Sequence, residues 1–116
     1  VVCDRFTDAT FAYQGGGRGI DASDIHALEK RFVGIKPDLT LLLDLSVDQG
    51  MARAQSRGQS LDRIESERHD FFLNVRAAYL RRAAEDPQRI KVIDASQTAE
   101  SVVRQVLDAL TVWMKA

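Results

Sequence analysis

Apolar residues recur along the chain in two rhythms. Ile25, Leu28 and Phe32 are spaced by three and four, which puts them on one face of a helix predicted over 21–33. Asp21 or Ser23 is placed to cap that helix, and Gly34 followed by Pro37 supplies the stop. Residues 39–45, LTLLLDL, are almost continuously apolar and too short for most helices. Such a run predicts a strand covered on both faces, and so a parallel sheet. Ser46 then opens a helix over 47–56, with Gln49 three residues on as in a capping box. Phe71, Phe72, Val75 and Tyr79 predict the core-facing stripe of a long helix over 65–84. A short strand follows at 91–93. The last helix, over 98–114, has Val102, Val106, Leu110 and Trp113 on its inner face. At the other end, residues 1–3 read as the end of a strand and 10–13 as a short helical segment, followed by a GGGRG loop at 15–19. The order β-α-β-α-α-β-α predicts right-handed crossovers and a three-layer α/β sandwich around a parallel sheet.

Composition narrows the function classes. The 116 residues suit one domain, and 45% hydrophobic with 28% charged residues is a globular composition. Sixteen Lys and Arg against 17 Asp and Glu give a net charge of -1, so no global basic field draws the chain to nucleic acid or to a membrane surface. The longest apolar runs are far too short to span a bilayer. The single cysteine, Cys3, lies in the predicted first strand, where it reads as a small hydrophobe; without a disulfide partner it suggests a reducing, cytoplasmic setting. The opening VVCDRF has no Met and starts inside a predicted strand, the pattern of a chain cut in mid-fold.

Each predicted strand runs into an aspartate: Asp4, Asp44 and Asp94. Ligands of open parallel sheets bind outside the carboxyl ends of the strands, which makes all three candidates by position. The alternative for Asp44 and Asp94 is that each simply turns the chain into the next segment. Asp4 differs, because Arg5 and a dense polar run follow it at once. No CxxC, HExxH or GxSxG occurs, so zinc or serine-hydrolase chemistry has no local support. His26 and His69 are isolated on predicted helices.

The stretch DRFTDATFAYQGGGRG resembles the hallmark of bacterial thymidylate kinases: a strand ending in Asp-Arg and an aromatic, a small hydroxyl residue, then Ala-Tyr-Gln and a glycine-rich turn. Asp4, Arg5, Phe6, Thr10, Ala12, Tyr13, Gln14 and Gly15 match in order and spacing, and the likeness continues through LTLLLDL, RGQSLDRIE, FFLNVRAAYL and KVIDAS. The resemblance implies a P-loop nucleoside monophosphate kinase fold, of which this chain would be the C-terminal part, a single incomplete domain over 1–116. It implies transfer of the γ-phosphoryl group of ATP to dTMP. Arg5 would hold the acceptor phosphate, since a guanidinium fork matches phosphate oxygens. Asp4 would sit near Mg2+ through water. Thr10 and Gln14 would hydrogen-bond the thymine edge, and Tyr13 would lie against the deoxyribose. A lid at about 57–65, with Arg53, Arg57 and Arg63, would close over ATP, and Arg57 matches the catalytic lid position best. Arg76 would either support the lid or pair with a carboxylate. Arg18 would be structural or stand at the edge of the acceptor site. Ala95 and Gln97, after the last strand, are the expected adenine contacts. Homologues pair as dimers, with the 21–33 helix a candidate face. The 116 residues contain no GxxxxGK[ST], so this polypeptide alone is expected to be inactive. Two other readings stand beside the kinase: a related kinase with a different acceptor, and a non-catalytic binding remnant of one.

Overall fold

The computed structural model describes residues 1–56 and 65–115. A helical stretch begins at Thr7. It is α-helical over Thr7–Thr10 (α1) and continues as a π-helical segment over Phe11–Gly17. The GGGRG run predicted as a loop is therefore helical through Gly17, and only Arg18 and Gly19 make the turn. The reason is packing. The segment lies against a long helix, and Gly16 and Gly17 are the points of closest approach. Gly19 (φ +74°) takes the left-handed turn conformation that favours glycine.

The next helix, α2 (Ala22–Leu28), is capped as expected: the Asp21 carboxylate accepts from the Ser23 N–H at 2.9 Å. It runs into a second π-helical segment, Glu29–Val33, that ends on left-handed Gly34. Of its predicted face only Ile25 is buried; Leu28 and Phe32 are 58% and 73% exposed. Spacing places residues on one face but does not supply the surface that covers them.

Strands β1 (Thr40–Asp44) and β2 (Ile90–Asp94) pair in parallel, Thr40 opposite Ile90 and Asp44 opposite Asp94. Between them come α3 (Val47–Ser56) and α4 (Glu65–Glu85), and α5 (Ala99–Lys115) follows. Ser46 caps α3: its Oγ accepts from the Gln49 N–H at 3.2 Å and donates to Gln49 Oε1 at 3.0 Å. His69 Nε2, far from isolated, meets Asp48 Oδ1 at 2.9 Å and ties α4 to α3.

Three expectations are corrected here. Residues 1–3 form no strand, because no neighbouring strand among the described residues pairs with their backbone groups. Cys3 is accordingly exposed, its thiol 3.4 Å from the Arg5 carbonyl oxygen. β1 is half-covered rather than buried on both faces, with Leu43 58% exposed. On α5, Val102, Val106 and Leu110 are half-buried while Trp113 is exposed. The core sits where the π-helical segment meets α4: Ala12, Val75 and Ala78, flanked by Tyr13, Phe71 and Tyr79.

Candidate active site

Arg5 is the one non-glycine among the described residues with a positive φ, at 59°. An L-residue pays about 1 kcal/mol or more for that conformation, which persists only where surrounding structure holds it. Here it turns the Arg5 guanidinium over the Tyr13 ring, 5.1 Å from its centroid. At that range a cation and a ring face attract. Tyr13 is braced by Phe71 and Tyr79 of α4, each with its ring centroid 6.1 Å away and the Tyr79 ring edge-on. Burial, reinforced by neighbouring Tyr13, pushes the Tyr79 hydroxyl up to about 12 against the opposing pull of Arg5, so it remains a neutral phenol beside the cation. Asp4 is exposed next to Arg5.

Thr10 and Gln14 ride on the same helical stretch as Tyr13, Thr10 exposed and Gln14 half-buried. The Gln14 carbonyl accepts from the Ile20 N–H at 2.9 Å, and the Tyr13 carbonyl accepts from the backbone N–H of Arg18, an exposed residue, at 3.1 Å. These bonds close the turn below the site and leave the Gln14 side-chain amide out of the backbone network. Asp4, Arg5 and Tyr13 are thus brought together, with Thr10 and Gln14 on the element that carries the tyrosine.

That element is anchored by a residue that no sequence motif marks. Asp8, in the first turn of α1, is 5% exposed. Its Oδ1 accepts from Arg82 Nη2 at 2.8 Å and Arg89 Nη2 at 2.9 Å. Its Oδ2 accepts from Arg89 Nη1 at 2.8 Å and the Thr40 hydroxyl at 3.3 Å. Asp86 holds Arg89 from the other side at 2.7 Å, and Arg82 lies 3.9 Å over the Phe11 ring. Burial alone would raise the Asp8 carboxyl; Arg89 and then Arg82 outweigh it and bring it down to about 2. The signal in the sequence is a carboxylate among small and apolar residues, with arginines three and ten residues beyond Tyr79 that belong to no motif.

The aspartates at the ends of β1 and β2 are both engaged by neighbouring side chains. Asp44 receives a two-pronged grip from Arg76, Nε to Oδ1 at 2.8 Å and Nη2 to Oδ2 at 3.1 Å, so Arg76 pairs with a carboxylate here. Asp94 closes the turn after β2: its Oδ1 accepts from the Ser96 N–H at 3.0 Å and its Oδ2 from Gln97 Nε2 at 3.0 Å. Gln97 also accepts from the Ser101 hydroxyl, and the half-buried Ala95 donates its N–H to the Asp44 carbonyl at 2.8 Å. Arg53 is exposed in the last turn of α3. Arg57, Arg63 and the expected lid segment up to residue 64 lie outside the described residues.

A thymidylate kinase family model matches residues 1–106. The chain belongs to the thymidylate kinase family. A thymidylate kinase of Pseudomonas putida (strain W619) is 56% identical over 111 residues, covering 95% of this chain and 53% of the relative. One from Chromohalobacter salexigens is 54% identical over 112 residues, covering 96% and 53%. The crystal structure of thymidylate kinase from Ehrlichia chaffeensis superposes with a TM-score of 0.67 at 29% identity, over 97% of this chain and 50% of that one. The chain spans about half the length of the curated relatives it matches. Its α/β architecture with a parallel sheet is thus part of the P-loop nucleoside monophosphate kinase fold. Among the described residues no helix is long and apolar enough to cross a membrane.

Proposed function

We propose that this chain is the acceptor-and-lid portion of a kinase that transfers the γ-phosphoryl group of ATP to dTMP, giving dTDP and ADP. The observation that carries the reading is Arg5, held at a costly left-handed backbone angle over Tyr13 inside the stretch shared with thymidylate kinases. A backbone strained to aim one guanidinium points to function rather than stability. Arg5 grips the acceptor phosphate by charge-assisted hydrogen bonds, Tyr13 backs the deoxyribose, and Thr10 and Gln14 read the thymine edge. The Gln14 amide, with a donor and an acceptor, suits a base that presents an N–H beside carbonyls.

Mg2+ neutralises charge on the phosphates when bound. Asp4 is the carboxylate of this chain beside Arg5, and its exposed position fits contact through water. The further donors of such a site would be the phosphates and a P-loop hydroxyl. Arg53, Arg57 and Arg63 belong to the ATP side, with Arg57 stabilising the charge that develops on the transferring group, and Ala95 and Gln97 border the adenine. The exposed Leu28 and Phe32 support a homodimer built on α2 and the segment after it.

The test is made in the complete kinase, with its P-loop half. Arg5→Ala should weaken dTMP binding and turnover strongly while ATP binding persists; normal dTMP kinetics would overturn the phosphate assignment. Of dTMP, dUMP, dCMP and dGMP, dTMP should be the preferred acceptor. The 116-residue polypeptide assayed alone should show no dTMP-dependent ATP turnover.

A further inference from the structure

We propose that Asp8 is a positioning residue for the acceptor site, setting where Tyr13 and Gln14 stand through its buried grip on Arg82 and Arg89. The inference rests on the acceptor reading above and assigns a role to a side chain that touches no substrate.

The geometry supports it in three ways. First, Asp8 is the point at which the acceptor helix is fastened to the rest of the fold. It stands three residues after strained Arg5, and the helical stretch runs on without a break to Thr10, Tyr13 and Gln14. Its partners lie on three separate elements: Arg82 on α4, Thr40 at the start of β1, and Arg89 just before β2. One carboxylate therefore fixes the helix along and across its axis.

Second, the fastening is directional. Arg89 grips both carboxylate oxygens, at 2.8 and 2.9 Å, and Arg82 adds two nitrogens to Oδ1, at 2.8 and 3.2 Å. Paired forks of this kind fix orientation as well as distance. Arg82 also sets its Cζ 3.9 Å from the centre of the Phe11 ring, so the same guanidinium holds the helix by its acid and by its aromatic residue.

Third, the grip is linked to the site through α4. Arg82 lies one turn beyond Tyr79, whose ring packs edge-on against Tyr13. A shift of Arg82 and a shift of Asp8 both reach the tyrosine that backs the substrate.

The experiment uses the complete kinase and three variants. Asp8→Asn removes the charge at constant shape. Asp8→Glu keeps the charge and lengthens the reach by one methylene. Arg82→Lys keeps the cation but removes the fork. Each is measured for dTMP affinity by titration calorimetry, for ATP affinity, and for thermal midpoint. Arg104→Gln on exposed α5 is the control. Displacing substrate-contacting groups by a fraction of an ångström is expected to weaken dTMP about tenfold in Asp8→Glu and Arg82→Lys, about 1.4 kcal/mol of binding energy. ATP affinity should stay within about twofold of the parent, a factor that corresponds to little binding energy. Should Asp8→Asn fail to fold, the other two variants carry the test. Folded variants with a lowered thermal midpoint but unchanged dTMP affinity would overturn the proposal and leave Asp8 purely structural. Equal losses of dTMP and ATP affinity would overturn it too. If Arg5→Ala also binds dTMP normally, the acceptor reading itself has failed; if Arg5→Ala loses dTMP while the Asp8 and Arg82 variants keep it, the positioning role alone is wrong.

Discussion

Gly16 and Ala78 meet where there is no room for another methyl group: a Cβ on Gly16 would stand 2.5 Å from the Ala78 Cβ and 2.8 Å from the Asn74 carbonyl oxygen. Both obstacles are rigid, one a Cβ and the other backbone. Gly16→Ala in the complete kinase is expected to push the π-helical segment off α4, costing about 2–3 kcal/mol as overpacking does. Denaturant unfolding measures it. Because Tyr13 rides on that segment, dTMP affinity should fall with stability. Gly19→Ala is the contrast: nothing stands within 4 Å of its Cβ, but φ is +74°, so a smaller cost of about 1 kcal/mol is expected.

Arg5 carries the opposite trade. Its φ of 59° is costly for arginine and free for glycine. Arg5→Gly should therefore raise the thermal midpoint of the complete kinase by about 2–4 °C, the shift that about 1 kcal/mol produces in a domain of that size. It should also lose dTMP binding with the guanidinium. Calorimetric unfolding and an acceptor titration on the same variant check both halves. A lowered midpoint would mean that the cation and Tyr13 contribute more than the backbone strain costs.

Asp8 predicts the acid limb of stability. Its carboxyl lies at about 2 in the folded chain and near 3.8 when unfolded, so the unfolded state binds the proton more readily. The stabilisation is fully present above about pH 4 and is lost as pH falls through about 2. Integrated over that window it amounts to about 2 kcal/mol. Asp8→Asn should flatten this part of the stability profile, measured by urea unfolding between pH 5 and 2. A wild-type slope retained in the variant would place the acid sensitivity elsewhere.

Arg76 and Asp44 form a partly exposed pair, with side chains 38% and 19% accessible. Its geometry is two-pronged, so it should exceed the usual surface pair. Arg76→Ala is expected to cost about 1 kcal/mol, and Arg76→Lys about half of that, because a single ammonium cannot match both oxygens. Thermal unfolding at low and at high salt separates the charge contribution from the loss of packing.

Elements with the strongest local signals are legible from the amino-acid sequence. The Asp21 and Ser46 caps, the Gly34 stop, β1, β2 and the long α4 stand close to where period, capping chemistry and apolar runs place them. The Asp-Arg and Ala-Tyr-Gln residues were legible for a different reason: their order and spacing along the chain match a family. Features that depend on neighbours emerge only when the chain is folded. Residues 1–3 carry β-branched side chains, yet a strand exists only where another strand accepts its backbone bonds. Leu28 and Phe32 have helical spacing, yet burial needs a covering surface. GGGRG looked like a loop because glycine is a weak helix former; contact with Ala78 and Phe71 made those glycines the condition for close helix packing. Asp8, Arg82 and Arg89 are 74 and 81 positions apart in sequence as pairs, and no local pattern announces an ion pair that forms only when α1, α4 and the start of β2 converge.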